Sequence, residues 1–284
     1  MKMAMRAALA AISFAAPALA FSAPPGHAQS KRSLELAGQL YERAAVAAQI
    51  QPIPAQFEQG LRDYRDKIPS EVIAVLVEAG KKSFAEPALR GDIVSAIAQK
   101  MNAGDIGRTL AWLDTSAGRR VTLAEARGAA SMSQETMQAY FEGEKKKPPN
   151  PRRDGMIAAL IKATKSVEIG AGFIEATSLG IAVGMDATQP VEKRIGVAGL
   201  RARLRAVMPP EKLRADIGAM LPPMFGYVYR DTSDADLAAY VKFSSSSLGK
   251  RYNGAVSAAL IGALARASVR VGEMLPTAAE KKQI

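Results

Sequence analysis

The chain contains no cysteine, and its one histidine, His27, stands near the amino terminus. Disulfides, thiolate nucleophiles and redox dithiols are excluded, and any histidine-dependent chemistry rests on that single residue. Aromatic residues make up only 6% of the sequence, with one tryptophan, so there are few rings on which bases could stack. Runs of alternating β-branched and polar residues, the mark of strands, are absent. The 23 glycines form neither G-x-x-x-x-G-K-S/T nor G-x-G-x-x-G, so nucleotide binding has no support.

What is present begins with MKMAMRAALAAISFAAPALAFSAPPGHAQS. Lys2 and Arg6 precede an apolar run, Ala7 to Ala20, that is too short to span a bilayer, which is the pattern of a secretory signal peptide. Small residues at Ala18-x-Ala20 and Gly26-x-Ala28 permit cleavage before Phe21 or before Gln29. Pro24-Pro25 ends the apolar run just ahead of the second site and favours it, making residues 1–28 the expected signal. His27 is then removed, and the mature chain is left without the side chains of ordinary zinc, copper or haem sites. No metal and no cofactor is expected. Loss of Lys2 and Arg6 leaves 36 basic against 27 acidic side chains, a formal +9. Outside the inner membrane of a Gram-negative cell, the expected location, the polyanions at hand are lipid headgroups and cell-wall polymers rather than nucleic acid. A transmembrane span is not expected in the mature chain. Its most apolar stretches carry Glu168 and Glu175, or Arg266 and Arg270, each costing ~2.5 to 3.5 kcal/mol at a bilayer centre.

Ala, Leu, Arg, Glu and Met dominate, and the apolar residues recur at helical spacing, so the sequence predicts an all-α fold. Leu36, Leu40, Ala44, Ala47 and Ala48 form one such face, Val72, Ile73, Leu76 and Val77 another, and Ile157, Leu160, Ile161 and Thr164 a third. Pro54, Pro69 and Pro209-Pro210 stand where helices should start. EGEKKKPPNPRR, residues 142–153, reads as an exposed linker. The expected organisation is one helical unit over 29–143, a linker over 144–152 and a second unit over 153–284.

The two units look like copies. Asn102 to Arg120 aligns without a gap on Ser233 to Arg251, an offset of 131 residues. Leu89-Arg-Gly-Asp92-Ile93 aligns on Leu213-Arg-Ala-Asp216-Ile217 at an offset of 124, so the second copy holds seven more residues, placed in PPMFGYVYRDTS. Asn102 and Ser233 read as helix N-caps, with Asp105 and Asp236 three residues on. Trp112 and Phe243 should anchor each helix to the core. Ser116 and Ser247 are the expected caps of the following helices, and Gly118 and Gly249 leave room for close backbone approach. The motif thus spells a helix, a sharp corner and a second helix, in two tandem helical-bundle units related by internal duplication.

An acidic helix start, an aromatic residue and then Ser-x-Gly-Lys/Arg-Arg resembles a family of secreted bacterial helical proteins known only as a domain of unknown function. Here Ala117 and Leu248 stand where that family often has proline. The resemblance implies an all-helical fold and export, and it brings no catalytic residues.

Three patterns could carry chemistry. Ser247-Leu-Gly-Lys250 has the S-x-x-K spacing of acyl-transfer enzymes, but no K-T-G or S-D-N triad accompanies it, and the first unit has Arg119 in place of the lysine. Asp231, Asp234 and Asp236 cluster without the Gly and Glu of a calcium loop. Lys193, Arg194, Arg201, Arg203 and Arg205 edge an amphipathic helix whose apolar stripe is Val197, Leu200, Leu204 and Val207. The expected function is a non-catalytic binding or accessory protein of the cell envelope, taking an anionic or hydrophobic amphiphile such as anionic lipid. Self-association or binding of a protein partner through helix faces is the second reading. A serine acyl-transferase using Ser247 and Lys250 is a distant third.

Overall fold

The computed structural model describes residues 31–62, 70–146, 148–187 and 189–280, and all regular structure among them is helical. The expected signal peptide with both candidate cleavage positions, His27 and Pro69 lie outside the described residues. In chain order the helices are α1 (Lys31–Arg43), α2 (Val46–Ile50), α3 (Ile53–Arg62), α4 (Ser70–Ser83), α5 (Glu86–Lys100), α6 (Ala103–Leu113) and α7 (Ser116–Ser131). They continue with α8 (Gln134–Glu144), α9 (Pro151–Thr164), α10 (Ser166–Ala187), α11 (Gly196–Val207), α12 (Pro210–Val228), α13 (Asp234–Ser245) and α14 (Ser247–Glu280).

Local chemistry sets many boundaries. Pro87, Pro151 and Pro210 sit in the first turns of α5, α9 and α12, where a missing N–H costs no helical hydrogen bond. Ser133 and Thr136 form a reciprocal cap at α8, and the Asn150 side chain accepts from Arg153 N at 3.1 Å to start α9. The connection is therefore shorter than 144–152, since Pro151 and Arg152 are already helical. Leu36, Leu40 and Ala44 are buried on one face as expected, but Ala45 adopts a left-handed conformation (φ 51°), which puts Ala47 and Ala48 on the separate helix α2.

Corresponding elements make corresponding contacts. α1 packs on α5 and α6, and α9 packs on α12 and α13. Leu40 and Leu160 are both fully buried, and Ala45 and Lys165, each at φ 51°, follow the first of these helices in each half. That third correspondence, at an offset of 120 residues, is invisible to residue matching because few side chains are retained, Leu40 with Leu160 and Arg32 with Arg152. The halves then cross over: α7 lies against α13 of the second half, and α14 lies against α6, α5 and α4 of the first.

The extra residues of the second half form a clamp between the two. α5 has 15 residues, whereas α12 has 19 and continues through Pro222 and Pro223 into a longer turn. From this segment the Tyr227 hydroxyl donates to Ser131 Oγ at 2.9 Å, and the Tyr229 hydroxyl donates to Glu125 Oε1 at 2.9 Å, both on α7. Arg153 at the start of α9 closes the turn, donating to the carbonyls of Tyr229 and Thr232 and to Asp234 Oδ1, the last at 2.8 Å.

α10 and α14 form the most extensive helix pair. Ala259, Ala263 and Ala267 of α14 are fully buried, and a Cβ on Gly180 of α10 would fall 2.5 Å from Ser268 Cβ, so the two backbones approach closely. By length and composition Ser166–Val183 and Ser247–Met274 could each cross a bilayer. In this fold 56% of the second window is buried, and its Arg266 and Arg270 face Asp92 of α5 at 3.0 and 3.9 Å.

Candidate functional site

The recurring motif is built as two matching corners. Asn102 Oδ1 accepts from Asp105 N at 2.8 Å and Ser233 Oγ from Asp236 N at 3.2 Å, the expected N-caps. The next cap is a correction: Ser116 and Ser247 are already helical, and the residues before them do the capping. Thr115 Oγ1 accepts from Gly118 N and Ser246 Oγ from Gly249 N, both at 3.0 Å. Thr115 and Ser246 share φ −67° and ψ 161°, an extended conformation from which a hydroxyl can reach into the first turn of the helix. Gly118 and Gly249 allow the close approach expected of them: a Cβ would meet the carbonyl oxygen of Trp112 at 2.3 Å and that of Phe243 at 2.0 Å.

Trp112 and Phe243 do more than anchor their own helices. They stack on one another across the halves, with ring centroids 4.0 Å apart and planes inclined by 10°. A reciprocal set of ion pairs joins the same helices. Arg120 of α7 grips Asp236 of α13 through Nε and Nη2 at 2.7 and 2.6 Å, and Arg251 of α14 grips Asp105 of α6 at 2.8 and 3.0 Å. The Arg251 guanidinium holds the Asp105 carboxyl below the ordinary carboxylate range, and Arg120 does the same for Asp236. The signal is present in the residue order without its meaning: a basic residue stands two places after each matched glycine. Arg120→Ala should lower the melting temperature more than Arg251→Ala. Asp105 keeps Arg108 at 2.5 Å, whereas the equivalent of Arg108 in the second half is Ala239. Thermal denaturation followed by circular dichroism reads the order, and equal losses would refute it.

A buried carboxyl lies outside the recurring motif. Glu125 is 6% exposed, receives the Tyr229 hydroxyl and has Tyr240 and Tyr252 beside it. Burial pushes its pKa up to about 8, and the Tyr229 and Tyr240 hydroxyls only partly offset that rise. At the 131-residue offset the second half has Val256, so comparing the halves does not single this residue out.

The arginine-edged helix is α11. Asp186 at the end of α10 accepts from Ile195 N and Gly196 N, both at 3.0 Å, and so caps it from a distance. α11 contributes no buried residue. Leu200 and Leu204 are half-buried against α10, but the rest of the expected stripe stays open: Val197 is 50% exposed and Val207 62%, with Val191 just upstream at 75%. Arg194 Nε donates to the Gln189 carbonyl at 2.9 Å and Arg205 lies 3.6 Å from Glu175 of α10. Lys193, Arg201 and Arg203 are exposed, and among the described residues none of the three makes an ion pair. The structure therefore gathers the five basic residues on one segment but leaves them unequal, with Arg201 and Arg203 the two on the helix that are open to a partner. Between α10, α11 and α12 lies a cavity of about 80 Å³ whose walls include Glu168, Glu175, Arg205 and Arg214. It falls far short of the ~300–1,000 Å³ of pockets that enclose a whole small-molecule ligand.

The remaining candidates do not assemble. Ser247 and Lys250 are both exposed in the first turn of α14, and among the described residues no hydrogen bond joins them. The three clustered acids each face an arginine: Asp231 lies 3.6 Å from Arg230, while Asp234 and Asp236 are taken by Arg153 and Arg120. No protein-family profile, curated protein or solved structure matches the chain.

Proposed function

We propose that the protein is a non-catalytic, exported factor of the bacterial envelope that docks on anionic amphiphile surfaces through α11. One observation carries this reading: a helix with no buried residue exposes Val197 and Val207 alongside the guanidinium groups of Arg201 and Arg203, which make no ion pair among the described residues. Such a helix lies in an interface, with apolar side chains among the acyl ends and cations on the headgroups. The ion pairs of Arg266 and Arg270 with Asp92 favour α14 as part of a folded helical core, with no span through the bilayer. The two-copy architecture fits duplication of one helical unit, which accounts for matched caps, matched glycines and reciprocal Arg–Asp pairs in a single event. The motif's resemblance to secreted bacterial helical proteins points the same way.

Sedimentation with vesicles tests the docking. Binding should appear on vesicles containing phosphatidylglycerol, be absent on purely zwitterionic phosphatidylcholine vesicles, and fall as salt rises. Each basic residue near an anionic surface contributes about 1 kcal/mol, so Arg201→Gln with Arg203→Gln should weaken partitioning by about 30-fold. Unchanged partitioning of that double variant overturns the assignment to α11. A concentration-dependent dimer in light scattering, with no vesicle binding, would favour self-association instead.

A further inference from the structure

The cavity between α10, α11 and α12 mixes charges in a way that neither helix packing nor the docking of a bare anion explains. Two carboxylates, Glu168 and Glu175, stand two turns apart on one face of α10, roughly 10 Å along its axis. Opposite them are Arg205 from α11 and Arg214 from α12. Only one contact joins the two sets, Arg205 to Glu175, and at 3.6 Å it is too long for a hydrogen bond. Glu168 and Arg214 line the same cavity and make no ion pair among the described residues. Leu204, Met208 and Leu213 add apolar lining.

We infer that this cavity binds a small zwitterion, a primary ammonium joined by a short apolar spacer to a phosphate, as in the phosphoethanolamine group. A lone anion would be attracted by Arg205 and Arg214 but repelled by the two glutamates, and a lone cation would meet the converse. A group carrying both charges satisfies both walls at once. The ammonium is primary because its N–H donors can reach carboxylate oxygens. A quaternary ammonium has no such donors and favours aromatic rings, and among the described residues no aromatic side chain lines the cavity. At about 80 Å³ the space takes roughly five or six water-sized groups, so the zwitterion, with eight non-hydrogen atoms, is held between the charged walls with part of it exposed at the mouth. A lipid seated here would hold α11 close to the bilayer surface. In this form the inference rests on the docking proposed above, while the free zwitterion provides an independent arm.

Amide chemical shifts of the full-length mature protein, titrated with soluble phosphoethanolamine, test it directly. Saturable shifts are expected at Gly172, Leu204, Arg205 and Arg214. Phosphocholine, ethanolamine and inorganic phosphate should each bind about tenfold more weakly or less. Glu168→Gln and Arg214→Gln, both at exposed positions, should each weaken phosphoethanolamine by about tenfold while leaving the melting temperature unchanged. Equal affinity for inorganic phosphate, wild-type affinity in both variants, or no saturable shift overturns the site. In the second arm, adding phosphatidylethanolamine to anionic vesicles should strengthen binding of the wild type but not of Glu168→Gln. Soluble binding without any vesicle binding assigns the cavity to a free zwitterion and removes the membrane reading. Vesicle binding that depends on Arg201 and Arg203, with no response to phosphoethanolamine, keeps the membrane reading and removes the cavity.

Discussion

Glu125→Gln should flatten the pH dependence of stability between about pH 5 and pH 8 and stabilise the protein most at the alkaline end. The carboxyl's ordinary pKa of 4.5 is raised to about 8 in the folded chain, so between those values the folded state holds a proton that the unfolded state has lost. Folding stability is full while both states are protonated, below about pH 4.5. It falls as pH rises, by at most about 1.4 kcal/mol per unit, until the folded pKa is passed. Asp105 and Asp236 act with the opposite sign: their lowered pKa values supply stability above the ordinary aspartate value of 3.8, and it is lost as pH falls through the folded values. The two trends together place the stability maximum on the acid side of neutrality. Glutamine keeps the shape and an acceptor for the Tyr229 hydroxyl but has no charge to bury, so the variant should cross the wild type and exceed it by several kcal/mol at pH 8. Urea denaturation at several pH values measures this. A wild type whose stability is level from pH 5 to pH 8 would remove the buried-acid account.

The contrast between Glu125 and the matched corners shows what residue order can disclose. Asn102, Ser233, Gly118 and Gly249 are legible because caps and close approaches are local events, settled within a few residues of chain. The caps expected at Ser116 and Ser247 fall one residue earlier because each serine has a hydroxyl neighbour, Thr115 or Ser246, and spacing alone does not say which is extended. The partners of Arg120 and Arg251 are illegible for a different reason. Each lies more than a hundred residues away in the other half, and the crossing of α7 and α14 that unites them depends on how the halves dock. The same holds for Glu125, which accepts the Tyr229 hydroxyl from the other half. At α11 the apolar stripe and its arginine edge are readable from helical periodicity. That α10 covers only Leu200 and Leu204 of the stripe is not, because covering a face takes a neighbour that periodicity does not specify.

Gly118→Ala and Gly249→Ala should each destabilise the protein by roughly 3 kcal/mol, although alanine is ordinarily the better residue inside a helix by ~1 kcal/mol. At Gly249 the new methyl would fall 2.0 Å from the Phe243 carbonyl oxygen and 2.8 Å from Ser244 Cα. At Gly118 it would fall 2.3 Å from the Trp112 carbonyl oxygen and 2.8 Å from Leu113 Cα. These are backbone atoms, so no rotamer change relieves the overlap and the two helices of the corner must separate. Separation also moves the Thr115 and Ser246 hydroxyls, which donate to those same carbonyls at 2.7 and 2.6 Å, and it shifts the Trp112–Phe243 stack carried on the adjoining turns. Gly107 provides the control: it lies inside α6, and a methyl added there would have nothing within 4 Å, so Gly107→Ala should raise stability by about 0.5–1 kcal/mol. Chemical denaturation of the three variants gives a sign change within one substitution type. If Gly118→Ala and Gly249→Ala behave like Gly107→Ala, the corners are not held at backbone contact and the matched motif has lost its structural explanation. If only one of the two is destabilised, the halves differ in the feature that their shared dihedral angles make most alike.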